Sequence, residues 1–297
     1  MKIVLVTGAG PTGVTGRAIK EYLQDHYEIL APSSKELDLT NDEAVSTYFE
    51  KHQIDYVVHC ATYRNNISKT EHLVDEELES NLRMYFSLAA QSDKFEKMVY
   101  LGSGAEYDKS KPIVNAKEEE VGRSIPKTKY GLGKFIMNHH CRCSKNIYNL
   151  RMFGTLNKYE RYTKNVICNL CAKVIMEMPL NLIQNCRFSW VDIHDVSKAI
   201  RYLFEHEVES HDYNIAIKTP YLLSELAGII TQISQSNNEI SFQHTGLGNE
   251  YTCSSERFGN DFSFRMRPVY ESIKEIFEYL LSNKESIHIE AIDGRWQ

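Results

Sequence analysis

The first thirty residues constrain this chain more than anything that follows. Lys2-Ile3-Val4-Leu5-Val6 is a β-branched run of the kind found in a strand buried on both faces. It leads into Thr7-Gly8-Ala9-Gly10-Pro11-Thr12-Gly13-Val14-Thr15-Gly16, then a helix from 17 to about 24 with Ala18, Ile19 and Leu23 on one side, then a second strand over 28–31. Strand, turn, helix, strand in so short a span predicts a parallel α/β sheet, because parallel neighbours need a helical crossover. Two glycine spacings overlap in the turn. Gly8, Gly10 and Gly13 fit G-x-G-x-x-G, while Gly10, Gly13 and Gly16 fit G-x-x-G-x-x-G. Either lets the backbone turn tightly and approach a pyrophosphate at a helix N-terminus. A bare glycine turn is the plain alternative, and the flanking strands and helix favour nucleotide binding over it.

The end of the second strand bears on which dinucleotide is held. An acid there accepts hydrogen bonds from a ribose 2′-hydroxyl and repels a 2′-phosphate. Here Pro32-Ser33-Ser34-Lys35 follows, and Arg17 is within reach of the same phosphate, so NADP(H) is favoured. Glu36 and Asp38 stand close enough to keep NAD(H) possible. Asp38-Leu39-Thr40 reads as the border of the adenine, or as the N-cap of a helix over 43–51. Residues 55–61 form another buried strand ending in the small Ala61, past which a cofactor can run; His59 within it reads as a packed strand residue. Residues 64–77 are polar, a helix or loop over the cleft. A helix is expected from Asn81 to about 91, with Asn81 as its cap or as part of a proton relay.

The strand over 97–101 runs into Gly102-Ser103-Gly104-Ala105-Glu106-Tyr107, which puts Ser103 at the carboxyl edge of the sheet, where open α/β proteins bind ligands. A hydroxyl there can polarise a substrate carbonyl. Further on, Tyr130-Gly-Leu-Gly-Lys134 places a phenol and an ammonium one helical turn apart. A nearby positive charge favours the phenolate, so the pair can act as a general acid/base. With 18 tyrosines in the chain the spacing alone is weak evidence, and an exposed helical pair is the bland reading. The glycine turn and Ser103 upstream strengthen it. Glu118-Glu119-Glu120 reads as a solvated surface. Net charge is −6, which gives no basic field for nucleic acid, and no apolar run is long enough to cross a membrane. The seven scattered cysteines read as reduced thiols of a cytoplasmic protein. His139, His140, Cys141, Cys143, Cys168 and Cys171 were weighed as metal ligands; buried thiols are the better reading, and no metal site is expected.

In this order and setting, Thr7-Gly8, Gly13, Gly16, Ser103 and Tyr130-x-x-x-Lys134 resemble the extended short-chain dehydrogenases, in the nucleotide-sugar epimerase/dehydratase/reductase branch. The resemblance continues through Asn149-Leu150-Arg151-Met152-Phe153-Gly154, Arg187-Phe188-Ser189-Trp190-Val191-Asp192 and Tyr213-Asn214-Ile215-Ala216, and so covers nearly the whole chain. It implies that Tyr130 moves a proton to or from the sugar oxygen. Lys134 would hold the nicotinamide ribose, and Ser103 the reacting carbonyl. Gly8, Gly10, Gly13 and Gly16 would line the pyrophosphate, with Thr12 also at the cofactor, in a turn two residues longer than the usual T-G-x-x-G-x-x-G. It implies substrate diphosphate contacts for Arg187 and, more weakly, Arg257, with a structural salt bridge as the alternative for each. The closest look is to GDP-fucose synthase-like and 4-dehydrorhamnose reductase-like proteins. The former epimerise with a cysteine two residues past the serine and a later histidine. Ala105 and, on a loose alignment, Asn165 stand there instead.

The expected architecture is a doubly wound Rossmann domain, residues 1–155 with 186–217, and a smaller interleaved α/β substrate domain, residues 156–185 with 218–297. The helix with Tyr270, Ile273, Ile276, Phe277 and Leu280 would pack on the second. Helices at 81–91 and 130–141 would form a homodimer interface, as the resemblance implies. The activity expected is NADPH-dependent reduction of a 4-keto nucleotide sugar in surface-polysaccharide or deoxysugar synthesis. The alternatives are an epimerase with retained NAD and a non-catalytic NADP-binding redox sensor or scaffold.

Overall fold

In the computed structural model, which describes residues 1–63 and 72–292, the N-terminal pattern becomes the centre of a six-stranded parallel sheet. The chain runs β1 (Ile3–Thr7), α1 (Thr15–Leu23), β2 (Glu28–Leu30), α2 (Asp42–Lys51), β3 (Tyr56–His59), α3 (His72–Ala89), β4 (Lys97–Ser103), β5 (Ile113–Ala116), α4 (Lys129–Cys143) and β6 (Ile147–Met152). It continues through β7 (Gly154–Leu156), α5 (Val166–Ile175), β8 (Leu180–Leu182), β9 (Arg187–Phe188), β10 (Trp190–Asp192), α6 (Ile193–Glu205), β11 (Asp212–Asn214), β12 (Tyr221–Leu222) and α7 (Leu223–Ser234). Last come β13 (Ile240–Phe242), β14 (Tyr251–Cys253), α8 (Glu256–Asp261), α9 (Val269–Ser282) and α10 (Ile289–Ile292).

The sheet order is β11-β6-β4-β3-β1-β2. From β1 the chain goes first to one side, to β2, and then to the other, to β3. That reversal opens a crevice at the carboxyl ends of β1 and β3, the place where such sheets take ligands. Val4, Leu5, Val6, Val57, Val58, Met98 and Val99 are fully buried, so both faces must be covered. Ile19 and Leu23 of α1 with Val196, Ala199, Ile200 and Leu203 of α6 cover one face. Val45 and Phe49 of α2, Tyr85 and Leu88 of α3, and Met137 and Cys141 of α4 cover the other.

A second core gathers α5, α7 and α9 around Leu170, Cys171, Leu226, Ile230, Ile273 and Ile276. Between the two lies a four-stranded sheet of order β12-β9-β14-β5, in which β14 runs parallel to both β5 and β9. Phe258 of α8 and nearby Phe262 join the first core, not the second. Among the described residues, no helix is long and apolar enough to cross a membrane.

Several local expectations need correction. Asn81 lies inside α3, which begins at His72, so it caps nothing. Its amide accepts from the Tyr63 N–H at 2.9 Å and donates to the Tyr63 carbonyl at 3.0 Å, clamping the chain after β3. Of residues 64–77, 64–71 lie outside the described residues. The cap of α2 is Asn41, whose Oδ1 accepts from the Ala44 N–H at 3.0 Å. Asp38 instead closes a local turn on the Thr40 N–H and hydroxyl at 2.9 and 2.7 Å. Glu118 is buried, not solvated, and accepts from the Asn214 N–H at 2.8 Å. Tyr270 points outward at 43% exposure while Val269 takes the inner face of α9. At the C-terminal end Ile289–Ile292 forms α10, and 293–297 lie outside the described residues.

Candidate active site

The glycine turn resolves into a packed trio that neither regular spacing describes. A Cβ on Gly13 would lie 1.9 Å from the Gly8 carbonyl oxygen, and one on Gly16 2.5 Å from the same atom. Gly8 itself has a positive φ of +68° and no room for a side chain against the Ala61 backbone, 2.7 Å away. Gly8, Gly13 and Gly16 thus weld the turn, the start of α1 and the end of β3 together. The two extra residues form a loop closed by the Gly13 N–H on the Gly10 carbonyl at 2.9 Å. Gly10 has nothing within 4 Å of its Cβ position and faces open space. Thr12 is exposed on the same loop.

Beside this loop lies a cleft of about 490 Å³, lined among others by Gly10, Pro11, Arg17, Lys20, Ser33 and Glu36. Arg17 is held over the Tyr159 ring, 3.9 Å from its centroid. Glu36 accepts from the Ser33 N–H at 2.7 Å, and that hydrogen bond lowers its pKa. Ser34 and Lys35 are exposed, and Leu39 is buried in the core beside α2 and α3. A packed glycine turn with Gly10 facing open space, beside a cleft lined by Arg17 and Lys20, fits a dinucleotide phosphate end.

The ends of β1 and β3 are tied by Thr7. Its hydroxyl oxygen accepts from the Cys60 and Ala61 N–H groups, each at 3.1 Å. With both acceptor positions filled, its one proton goes to His59 Nδ1 at 2.9 Å. Burial, and then the nearby Lys134 charge, push the His59 pKa down to about 3. His59 is therefore a neutral structural acceptor.

Ser103 ends β4, and residues 103–107 form a tight turn under α4. The Ser103 Oγ accepts from the Ala105 N–H at 3.2 Å. Gly131 brings α4 against this turn, since a Cβ there would sit 2.5 Å from the Ala105 carbonyl oxygen. The N-cap is Thr128, whose hydroxyl accepts from the Gly131 N–H at 3.1 Å. This close approach carries Tyr130 to the carboxyl edge of the sheet. Lys134 is buried. Its Nζ donates to the Leu101 carbonyl at 2.7 Å, lies 4.5 Å from the Tyr100 ring centroid and 5.7 Å from that of Tyr130. A phenol, an ammonium and a serine hydroxyl thus share one sheet edge.

Sequence reasoning missed what lies beneath. Glu106 is fully buried, and its Oε1 accepts from the Ser103 N–H at 3.0 Å. Arg151, also fully buried, donates to Glu106 Oε2 at 2.5 Å, to Asp212 Oδ2 at 2.9 Å and to Asn214 Oδ1 at 2.9 Å. Asn149 donates to both Glu106 oxygens. Gly102 is required here, because a Cβ would fall 2.3 Å from Glu106 Oε1. Burial works against the Asp212 charge, but Arg151 and Arg142 win and hold its pKa down. The available signal was a Ser-x-x-Glu box at a strand end.

Arg257 belongs to this network. It donates to the Asp212 carboxylate at 3.0 Å and pairs with Glu119. Its guanidinium thus has the ion-pair partners that the salt-bridge alternative calls for. Arg187 is half-buried on β9, where its backbone pairs with Leu222, and its side chain makes no hydrogen bond or ion pair among the described residues. Ala105 is buried in the turn. Asn165 caps α5, its Oδ1 accepting from the Ile167 and Cys168 N–H groups at 2.9 and 3.2 Å. Cys141 bonds the Tyr85 hydroxyl at 3.2 Å, and Cys168 and Cys171 sit in the second core.

The second residue missed is Tyr251. It is buried on β14, and its hydroxyl oxygen would stand 2.4 Å from a Cβ on Gly104. Its signal in the sequence was indirect: Gly104, beside the serine, leaves space that something else must fill.

With the geometry in place, the comparisons are informative. Residues 4–216 match the NAD dependent epimerase/dehydratase family. A GDP-L-colitose synthase from Yersinia pseudotuberculosis is 22% identical over 252 residues, covering 77% of this chain and 81% of that protein. A GDP-mannoheptose C4 reductase from Campylobacter jejuni, solved with NADP bound, superposes with a TM-score of 0.78 at 18% identity, covering 94% of this chain and 98% of that one. A GDP-L-fucose synthetase from Naegleria fowleri gives 0.79 at 17% identity, covering 97% and 94%.

Proposed function

The chain belongs to the NAD dependent epimerase/dehydratase family, and from that premise we propose that it is an NADPH-dependent reductase of a 4-keto nucleotide sugar. One observation carries the reading: Ser103, Tyr130 and Lys134 meet at one sheet edge, while the two positions an epimerising relative would need hold a buried Ala105 and an Asn165 spent on capping α5. The relatives named for reduction and for colitose synthesis, and the one solved with NADP, support it.

Bound NADPH supplies the hydride. Gly8, Gly10, Thr12 and Gly13 would hold its pyrophosphate, Arg17 with Ser33, Ser34 and Lys35 its 2′-phosphate, and Asp38, Leu39 and Ala61 its adenosine end and path. Tyr130 and Lys134 would hold the nicotinamide ribose. Ser103 donates to the sugar's carbonyl oxygen, where negative charge develops. Tyr130 delivers a proton to that oxygen, and the Lys134 ammonium stabilises the phenolate left behind. Arg187, with no acid engaging it among the described residues, is the cation for the substrate's diphosphate.

We take the chain as two lobes, 1–155 with 186–217 and 156–185 with 218–297, α8 being anchored on the first. A homodimer through α3 and α4 fits the outward Phe86, which packs edge-on against His140 at 5.2 Å. Seven unpaired thiols suit the cytoplasm.

The test is NADPH oxidation against 4-keto-6-deoxy nucleotide sugars, with NADH alongside. Wild type should oxidise NADPH stoichiometrically, and Tyr130→Phe should lose roughly 10²–10⁴-fold in kcat. Interconversion of unreduced sugars with no net oxidation would make the protein an epimerase. Full biological activity of Tyr130→Phe would make it a sensor or scaffold.

A further inference from the structure

The cleft beside the glycine turn is lined by an arginine that no acid engages. Arg17 is exposed on α1, and among the described residues it makes no hydrogen bond or ion pair. It is held all the same. Its Cζ lies 3.9 Å from the centroid of the Tyr159 ring, over the ring face. Tyr159 comes from outside the six-stranded sheet, in the turn that follows β7. The buried Asn157 ties that turn to α1: it donates to the carbonyl of Val14, the N-cap of α1, at 3.3 Å and accepts from the Tyr159 N–H at 3.0 Å. Tyr279 of α9 packs edge-on against the Tyr159 ring, 5.4 Å from centroid to centroid.

That Arg17 has no acid on it needs a reason. Glu21 stands four residues further along α1, the spacing at which helical arginines and carboxylates pair. Both Glu21 oxygens are taken. Lys158 Nζ donates to Oε1 at 3.1 Å, and the Tyr159 hydroxyl donates to Oε2 at 2.5 Å. Glu36, the other acid lining the cleft, is occupied by the Ser33 N–H. A guanidinium stacked through its face keeps its N–H edge for an oxyanion. Building on the NADPH reading above, we propose that Tyr159 is the positioning residue for the cofactor's 2′-phosphate: its ring holds the Arg17 guanidinium at the cleft, and its hydroxyl, with Lys158, keeps Glu21 from neutralising that charge.

The protonation states agree with this geometry. Against partial burial, the Tyr159 hydroxyl and Lys158 hold the Glu21 pKa down, so Glu21 stays an anion and stays engaged. Burial first, and the bond to Glu21 second, raise the Tyr159 pKa, so it remains a phenol and a donor. NADH carries a hydroxyl where NADPH carries the 2′-phosphate, and an open guanidinium edge serves the phosphate far more than the hydroxyl. The turn after β7 thereby sets which dinucleotide the cleft prefers.

The experiment is fluorescence titration of the full chain with NADPH and with NADH, for wild type, Tyr159→Leu, Arg17→Ala and the pair. Wild type should bind NADPH the more tightly. Tyr159→Leu removes both ring and hydroxyl. It should raise Kd for NADPH about five- to tenfold and leave Kd for NADH within about twofold. In the Arg17→Ala background the same change should cost less than about twofold, because the group it acts through is gone. Tyr159→Phe keeps the ring and frees one Glu21 oxygen. It should raise Kd for NADPH about two- to threefold, and adding Glu21→Gln should return the wild-type value. Tyr159→Leu that weakens both cofactors alike would show a merely structural role and overturn the inference. So would costs that multiply with Arg17→Ala, or a Tyr159→Phe loss that Glu21→Gln does not restore. Wild type that binds NADPH no more tightly than NADH would refute the NADPH reading and this inference with it, whereas an NADPH-preferring wild type whose preference survives Tyr159→Leu refutes this inference only.

Discussion

Replacing Arg151 with methionine is the sharpest test of how this site is supported. The guanidinium is fully buried and serves three acceptors, on Glu106, Asp212 and Asn214. The acceptors do not suffer equally when it goes. Asp212 keeps Arg142 at 2.8 Å and Arg257 at 3.0 Å. Glu106 keeps only uncharged donors, the Ser103 N–H and the Asn149 amide. A buried carboxylate stripped of its cation typically costs about 3–5 kcal/mol. For a chain of this size that is a fall in Tm of roughly 5–8 °C. Glu106 also holds the Ser103 backbone, so the folded fraction should lose turnover as well. The check is thermal unfolding by circular dichroism, with NADPH oxidation measured well below the transition. A compensating Glu106→Gln, which removes the stranded charge and keeps an oxygen for the Ser103 N–H, should return at least half of the lost stability. If Arg151→Met costs less than about 1 kcal/mol, or if Glu106→Gln restores nothing, the pair does not carry the turn and the reasoning fails.

Other outcomes follow from the same geometry. Gly13→Ala, with its Cβ 1.9 Å from the Gly8 carbonyl, should abolish NADPH binding by fluorescence titration and lower the Tm, while Gly10→Ala, with nothing within 4 Å, should leave the Tm unchanged and weaken NADPH binding alone. Arg17→Ala should raise KM for NADPH by about tenfold and leave KM for NADH within about twofold, the loss of one charge-assisted contact to a 2′-phosphate. The His194 pKa is raised, chiefly by its hydrogen bond to Glu275, against burial and with Asp192 helping and Arg267 opposing. A raised histidine pKa stabilises the fold below the unfolded value and loses that contribution as pH rises through the folded one. The Tm advantage of wild type over His194→Gln should therefore be larger near about pH 6 than near about pH 8, and an advantage that grows with pH would contradict the assignment.

What could be read from the chain, and what could not, divides along a physical line. Local signals carried far. The β-branched run at 2–6, the glycine turn and the Tyr130/Lys134 spacing each depend on residues close in sequence, and the sheet they predict is the sheet that forms. The fate of the glycines was already less legible. Which of Gly8, Gly10, Gly13 and Gly16 are forced depends on Ala61, a strand away, as much as on the turn itself. Charge was misread most. Glu118 belongs to an acidic triplet that looks like surface, and Arg257 is a lone cation that looks available. Arg257 stands between Glu118 and Asp212, which the sheet brings beside β6, and burial turns the three into a neutralising network. Burial disfavours the Glu118 charge and raises its pKa, a penalty only a tertiary structure can impose. Tyr251 belongs to the same class, since only the pairing of β14 with β5 and β9 delivers it to Gly104. The local pattern thus marks which groups can do chemistry, and long-range pairing decides what surrounds them. In this chain the clue to the second was a missing side chain: Gly104 beside Ser103, its space taken by a phenol from another sheet.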